Sequence, residues 1–321
     1  MEFITIVIPC YNATRYIEKC IYSLEQQTFK KFKVILVDDC STDDTYEHLH
    51  KLKAHIGLNI EVLQNEKNSG PAVSRNKGIL ATDTKYITFC DSDDWYEPSF
   101  LNTMLSLIEN NDADLVFCGY KVVDENNHII TRPVYNKTGS ISREYAFSLD
   151  ADSLCMLMVR TDLMKDTLLP VLRNGEDVAT VPLLMAKANK IAVTNECLYN
   201  YYRRSDSASE SPNMSVINSL IKSFQFIRDR FPKEYNLELE FLGAKNLLYA
   251  TIINLFSFSY DKKKARSILA DFEESYPQWH ANPYLKSLRL YKRVVLWCIH
   301  MRLFFLIKLL SETRNIIMKS K

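Results

Sequence analysis

Over the first 120 residues, short runs rich in β-branched side chains alternate with stretches of helical apolar spacing, the order that a parallel α/β sheet requires. Ile4-Thr5-Ile6-Val7-Ile8, Val34-Ile35-Leu36-Val37, Ile60-Glu61-Val62-Leu63, the segment 86–90 and Leu115-Val116-Phe117-Cys118 read as strands. Between them, Tyr16, Ile17, Cys20, Ile21 and Leu24 recur on one helical face. Ser41 and Thr42, with the acids that follow, predict an N-cap for a helix over 43–54. Pro71 suits the first turn of a third helix, where its missing N–H is no loss, and Pro98 opens a fourth. Ligands in such sheets bind beyond the carboxyl ends of the strands. Asp38, Asp39, Asn65, Asn68 and the acids of 91–94 all fall at or just past such ends, so the polar groups converge on one edge.

The fourth strand runs straight into Asp91-Ser92-Asp93-Asp94-Trp95. Hard cations such as Mg²⁺ and Mn²⁺ prefer carboxylate oxygens and reach a protein through one or two of them while phosphates supply other ligands. Spacing alone is weak, since Asp112-Ala113-Asp114 and Asp150-Ala151-Asp152 fit it too, but only the first triplet follows a buried strand. Glycine narrows the reading further. The chain has seven, none before Gly57, so neither a Gly-x-Gly-x-x-Gly turn after strand one nor a P-loop exists. Phosphates would have to be met by metal and side chains, which disfavours dehydrogenases, ATPases and kinases. Six scattered histidines without a His-x-x-His pair argue against zinc chemistry. Eight cysteines without a Cys-x-x-Cys pair, mostly inside apolar runs, read as buried free thiols of a reducing compartment.

After residue 120 the alternation breaks into a hairpin around Asn126-Asn127, helical stretches, and strands at 191–193 and 198–202. The polar stretch 205–213 marks a boundary, and from Met214 onward the pattern is helical. Two regions are expected: 1–210, carrying the chemistry, and a helical 211–321 that makes acceptor, membrane-surface or oligomer contacts. Glu2 stands where a secretory signal would carry bases, so a cytoplasmic protein is expected.

Several motifs then fall into a familiar order. Pro9-Cys10-Tyr11-Asn12, Ser23-Leu24 with Gln27-Thr28-Phe29, Val37-Asp38-Asp39-Cys40-Ser41-Thr42-Asp43, Asn68-x-Gly70 with Ser74-Arg75-Asn76-x-Gly78, and Asp91-Ser92-Asp93-Asp94 together resemble the inverting nucleotide-sugar glycosyltransferases of family 2, of the bacterial polysaccharide type. Cys40 stands where that family carries glycine. The resemblance implies the GT-A fold: a Rossmann-like mixed sheet with helices on both faces, plus a helical C-terminal region. It also implies metal-dependent, inverting transfer of a sugar from a UDP-sugar to a hydroxyl of a glycan or lipid-linked saccharide acceptor. A sugar nucleotidyltransferase and a non-catalytic GT-A-like binding protein are the alternatives; no nucleic acid is expected.

The same resemblance distributes roles. Pro9, Tyr11 and Asp39 would line the uridine pocket, Arg75 would lie near the ribose, phosphates or metal-site aspartates, Asp91 would touch the ribose and Asp93 would hold Mn²⁺ or Mg²⁺, with Asn12, Asn68 and Ser92 also counted among the donor-binding residues. Asp94 could serve only to cap the next segment. Asp177 in Asn174-Gly175-Glu176-Asp177 would be the general base, with Glu176 second, although two acids also suit a helix N-terminus on dipole grounds alone. Arg203, Arg204, Ser207 and Ser209 match a loop that holds the departing diphosphate. Trp95 and Tyr96 fit either a sugar-stacking platform or the core.

From Pro283 onward nine Lys/Arg face one acid, leaving the preceding 282 residues at 31 minus 38, or −7, against +8 for the tail. Residues 285–318 mix apolar and basic side chains too finely for a transmembrane helix. The pattern fits a segment lying on an anionic leaflet at the inner face of the membrane, or equally one that docks on the catalytic domain or in a homo-oligomer.

Overall fold

The structure, a computed structural model, describes residues 3–126, 128–132, 136–149, 151–172, 174–203 and 213–319. The chain divides into two compact units, Met1–Ser207 and Ala208–Lys321.

The first unit is built on a mixed sheet. Strands β1 (Ile4–Cys10), β2 (Phe32–Asp38), β3 (Asn59–Gln64), β4 (Tyr86–Phe89), β5 (Trp95–Tyr96), β6 (Leu115–Asp124), β7 (Ile129–Arg132), β8 (Gly139–Ile141), β9 (Leu157–Arg160) and β10 (Ile191–Arg203) lie in the order β3-β2-β1-β4-β9-β6-β10-β5, with β7 added to β6 and β8 to β10. The β1–β4 block is parallel, β9 runs antiparallel between β4 and β6, and β6 and β10 are parallel again. Helices α1 (Ile17–Glu25), α2 (Thr45–His55), α3 (Pro71–Ala81), α4 (Phe100–Asn110), α5 (Arg143–Ser148), α6 (Thr161–Lys165) and α7 (Glu176–Lys187) connect them. Strands β1 and β2 are buried almost throughout, which accounts for their unbroken β-branched runs.

Helix α3 lies unusually close to the sheet. A Cβ on Gly78 would come 2.4 Å from Val7 Cγ1, a distance no side chain tolerates. Glycine there lets the face that carries Arg75 press against the strand ends.

Two expectations need correction. Ser41 and Thr42 do not cap α2: Ser41 Oγ donates to Asp38 Oδ1 at 2.5 Å and the Thr42 N–H to Asn12 Oδ1 at 2.9 Å. The helix starts later, at Thr45, with the Thr45 N–H donating to Asp43 Oδ1 at 3.0 Å. The two late strands are one, β10, whose register against β6 slips between Val193 and Tyr199; a bulge explains the polar interruption at Thr194, Asn195 and Glu196. The hairpin joins β6 to β7, but Asn127 at its tip lies outside the described residues.

The second unit is helical: α8 (Met214–Arg228), α9 (Asn236–Leu242), a π-helical stretch Gly243–Ala250, α10 (Thr251–Phe258), α11 (Lys262–Ser275), α12 (Leu290–His300) and α13 (Phe304–Lys319). The continuous helix Lys233–Phe258 is long and apolar enough to cross a membrane, but 72% of its apolar window is buried inside the protein, so it serves as the core. The tail is two helices rather than one segment. They are separated where Arg302 takes φ +56° and the Leu303 N–H closes back on the Cys298 carbonyl at 2.8 Å.

Candidate active site

The carboxyl ends of β1, β2, β3 and β4 meet at one edge, as parallel register demands. Beyond β1, Asn12 takes φ +50°, and beyond β2, Cys40 takes φ +56°. The two left-handed residues let the loops turn toward each other, and the Asn12 side chain pins them, Nδ2 donating to Thr42 Oγ1 at 3.2 Å while Oδ1 accepts from the Thr42 N–H. Asn12 is therefore a brace whose amide is already engaged, while the neighbouring Tyr11 ring stands exposed. Pro9 is half-buried at the end of β1.

Asp38 and Asp39 face different tasks. Asp38 is fully buried and accepts from Ser41 and from Gln64 Nε2 at 3.1 Å, so it organises the turn. Asp39 receives Asn65 Nδ2 at 2.8 Å and the Ser69 N–H at 2.9 Å on Oδ1, and the Gly70 N–H at 2.7 Å on Oδ2. That wraps loop 65–70 around it, with Gly70 at φ +89° leading into Pro71. Asn68, at the tip, is exposed. Asn65 also donates to Ser74 Oγ at 2.9 Å and so ties Asp39 to α3, a role that its place after a strand does not disclose.

Arg75 is the centre of the cluster. Only 4% exposed, it donates Nη2 to Asp91 Oδ1 at 2.6 Å and Nη1 to Glu176 Oε1 at 2.8 Å, and Nη1 lies 3.9 Å from Asp177 Oδ1. The surrounding carboxylates hold its guanidinium above its usual range although burial opposes this. The planar fork suits two carboxylates at once. Asn76, next in sequence, exchanges two hydrogen bonds with the backbone of Leu169, 2.8 Å and 2.9 Å, which anchors the segment that leads to α7. Gly175, at φ +81°, then turns the chain so that Glu176 and Asp177 open the helix facing Arg75.

The two acids of α7 differ. Glu176 is buried and spent on Arg75, which counts against it as a base. Asp177 keeps a 23% exposed side chain; Oδ2 accepts from the Leu154 N–H at 3.2 Å, while buried Oδ1 has no hydrogen-bond donor among the described residues. Burial first, then the charges of Glu176 and Asp91, push its carboxyl up to about 7, against the opposing pull of Arg75.

The Asp91-Ser92-Asp93-Asp94 loop divides likewise. Asp91 is more than a third exposed, and Ser92 and Asp93 are half-buried. Asp94 is 1% exposed and does more than cap: Oδ1 accepts from the Tyr202 N–H at 2.7 Å and Oδ2 from the Tyr199 hydroxyl, which binds the loop to β10. Burial and then the neighbouring charges of Asp91 and Asp93 raise its carboxyl well above the usual range. Negative charge is thus in surplus at this turn, and its donors are hard oxygens. Among the described residues no three acidic, His or Cys side chains converge enough to hold a metal unaided. A hard divalent ion would fit only by taking one or two of these carboxylates and filling the remaining positions with phosphate oxygens and water.

Tyr96 belongs to the core, 2% exposed, stacked on Phe100 at 3.7 Å between centroids, its hydroxyl donating to the Phe89 carbonyl at 2.6 Å. Trp95 is half-buried with Lys19 Nζ 3.2 Å from its ring centroid, so a cation already covers one face. Arg203 ends β10, half-buried; Arg204, Ser207 and Ser209 lie outside the described residues.

A model of glycosyl transferase family 2 matches residues 5–167. The glycosyltransferase GlyG of Streptococcus pneumoniae is 28% identical over 222 residues, covering 64% of this chain and 72% of GlyG. The poly(ribitol-phosphate) β-N-acetylglucosaminyltransferase TarS of Staphylococcus aureus is 27% identical over 289 residues, 87% of this chain but 48% of TarS, so the chain spans about half of that relative. The crystal structure of TarS residues 1–349 with UDP-GlcNAc superposes with a TM-score of 0.73 at 23% identity, covering 98% of this chain and 92% of that one. The fold is the same.

Proposed function

This chain belongs to glycosyl transferase family 2, with the GT-A fold, and from that premise we propose that it moves a sugar from a UDP-sugar to a hydroxyl group with inversion. The acceptor is a glycan or lipid-linked saccharide of cell-surface polysaccharide synthesis, met at the cytoplasmic side of the membrane. The observation that carries the reading is the division of labour at Arg75. With Glu176 ion-paired, Asp177 is left with an oxygen that has no donor among the described residues and a carboxyl pushed up to about 7, the range in which a general base works best.

In that role Asp177 takes the acceptor hydroxyl proton as the oxygen forms its bond to the anomeric carbon. On the opposite face the bond from that carbon to the diphosphate oxygen breaks, and UDP leaves with the electron pair. Asp39 suits the uracil N–H, because among the described residues Oδ2 has one donor, the Gly70 N–H, and keeps an acceptor position. Asp91 and Ser92 would border the ribose, and Arg203 with Arg204, Ser207 and Ser209 the departing diphosphate. A divalent cation held through Asp93, Mn²⁺ or Mg²⁺, would supply charge neutralisation at that diphosphate.

TarS is named for N-acetylglucosaminyl transfer and was solved with UDP-GlcNAc, which makes UDP-GlcNAc the first donor to try. The test is UDP release from a panel of UDP-sugars with saccharide acceptors and Mn²⁺ or Mg²⁺. The reading expects release that stops in chelator and in Asp93→Ala. Consumption of a sugar 1-phosphate with a nucleoside triphosphate would mean nucleotidyl transfer instead, and neither reaction would leave a binding protein.

A further inference from the structure

Helices α12 and α13 turn an apolar stripe outward. Along α12 and its C-terminal cap, Leu290, Val294, Trp297 and Met301 recur at spacings of four, three and four, a single face, and all are exposed, Leu290 by 72% and Trp297 by 56%. On α13, Phe305, 64% exposed, and Leu309 stand one turn apart and are exposed as well. This is not the packing face: Val295, Leu296, Cys298 and Ile299 of α12, and Phe304 and Ile307 of α13, are the buried residues. Burying large apolar side chains is favourable, and a contiguous exposed group of them marks an interaction site.

The charges beside the stripe say what it meets. Lys286, Arg289 and Arg293 are exposed and make no ion pair among the described residues, in contrast to Arg302 with Glu273 and Lys308 with Glu312. Glu312 is the single acid after Pro283. The partner must therefore offer both an apolar interior and negative charge. A second copy of this face would set Arg289 and Arg293 against their own counterparts, which like-charge repulsion opposes. At 11 and 16 residues, the helices are too short to span a hydrocarbon core.

We propose that α12 and α13 form a docking face for an anionic lipid bilayer. The helices lie in the interface, with Trp297 and Phe305 entering the acyl boundary and Lys286, Arg289 and Arg293 meeting lipid phosphates. The proposal is independent of the reaction assigned to the other unit, and it would hold the protein where lipid-linked saccharides are found.

The test uses the full chain with phosphatidylcholine vesicles, with and without phosphatidylglycerol, read by co-sedimentation and by Trp297 fluorescence against a Trp297→Phe reference. Binding is expected only to the phosphatidylglycerol vesicles, weakened by salt, with a blue shift that the reference lacks. Arg289→Glu with Arg293→Glu, and separately Trp297→Ala with Phe305→Ala, should each lower partition about ten-fold or more at unchanged thermal unfolding, since all four side chains are exposed. Failure of the full chain to bind, or binding unaltered by both double variants, overturns the proposal. So does a dimer in sedimentation velocity that Trp297→Ala dissociates, which would make a second copy the occupant.

Discussion

Arg75 and Glu176, 101 positions apart, form a buried ion pair of 2.8 Å that joins helix α3 to the first turn of α7. Because the second guanidinium nitrogen holds Asp91, one arginine ties the carboxyl edge of the sheet to the acids that open α7. Removing it leaves Glu176 buried without its ion-pair partner. Arg75→Ala is therefore expected to lower unfolding stability by about 3–5 kcal/mol, the range for breaking a buried pair. Denaturant unfolding measures it, and a loss below about 1 kcal/mol would mean that the pair organises little.

The carboxyl of Asp177, raised to about 7, links stability to pH. Its pKa is higher folded than unfolded, so its full contribution is present below about pH 4, where both states are protonated. Stability is lost as pH rises from about 4 to 7, because the unfolded chain ionises first, and the loss is complete above the folded value. Asp177→Asn escapes this cost. It should match the parent protein at pH 4 and exceed it at pH 8 by on the order of 2 kcal/mol, seen as a gap in unfolding midpoints that opens across this window. A gap that closes with rising pH would have the wrong sign.

Cys40, held at φ +56° where the family resemblance has glycine, carries backbone strain. A non-glycine residue in this region is disfavoured by about 1–2 kcal/mol, while glycine raises the entropy of the unfolded chain by somewhat less. Cys40→Gly is expected to be stabilising by about 0.5 kcal/mol in denaturant unfolding. A clear destabilisation would show that the thiol makes a contact worth more than the strain.

What could be read before the structure was mostly local. The four parallel strands announced themselves because buried strands demand unbroken β-branched runs, and the carboxylates at their ends because such ends form the ligand edge. The partners of those carboxylates were not legible. Asp94 meets Tyr199 and Tyr202, and Asp39 meets Asn65, across distances in sequence that no local pattern encodes. Ser41 and Thr42 looked like caps because their competing partners, Asp38 and Asn12, come near only once β1 and β2 pair. The break between α12 and α13 carries neither glycine nor proline, since Arg302 itself takes the left-handed turn.

The central claim is that Asp177 is the base, and Asp177→Asn tests it with least ambiguity. The substitution preserves shape and removes basicity, so UDP binding, measured by calorimetry, should be near that of the parent protein while transfer falls by about 10²–10⁴-fold. Transfer at near the parent rate with UDP still bound would contradict the assignment and move the proton acceptor away from α7.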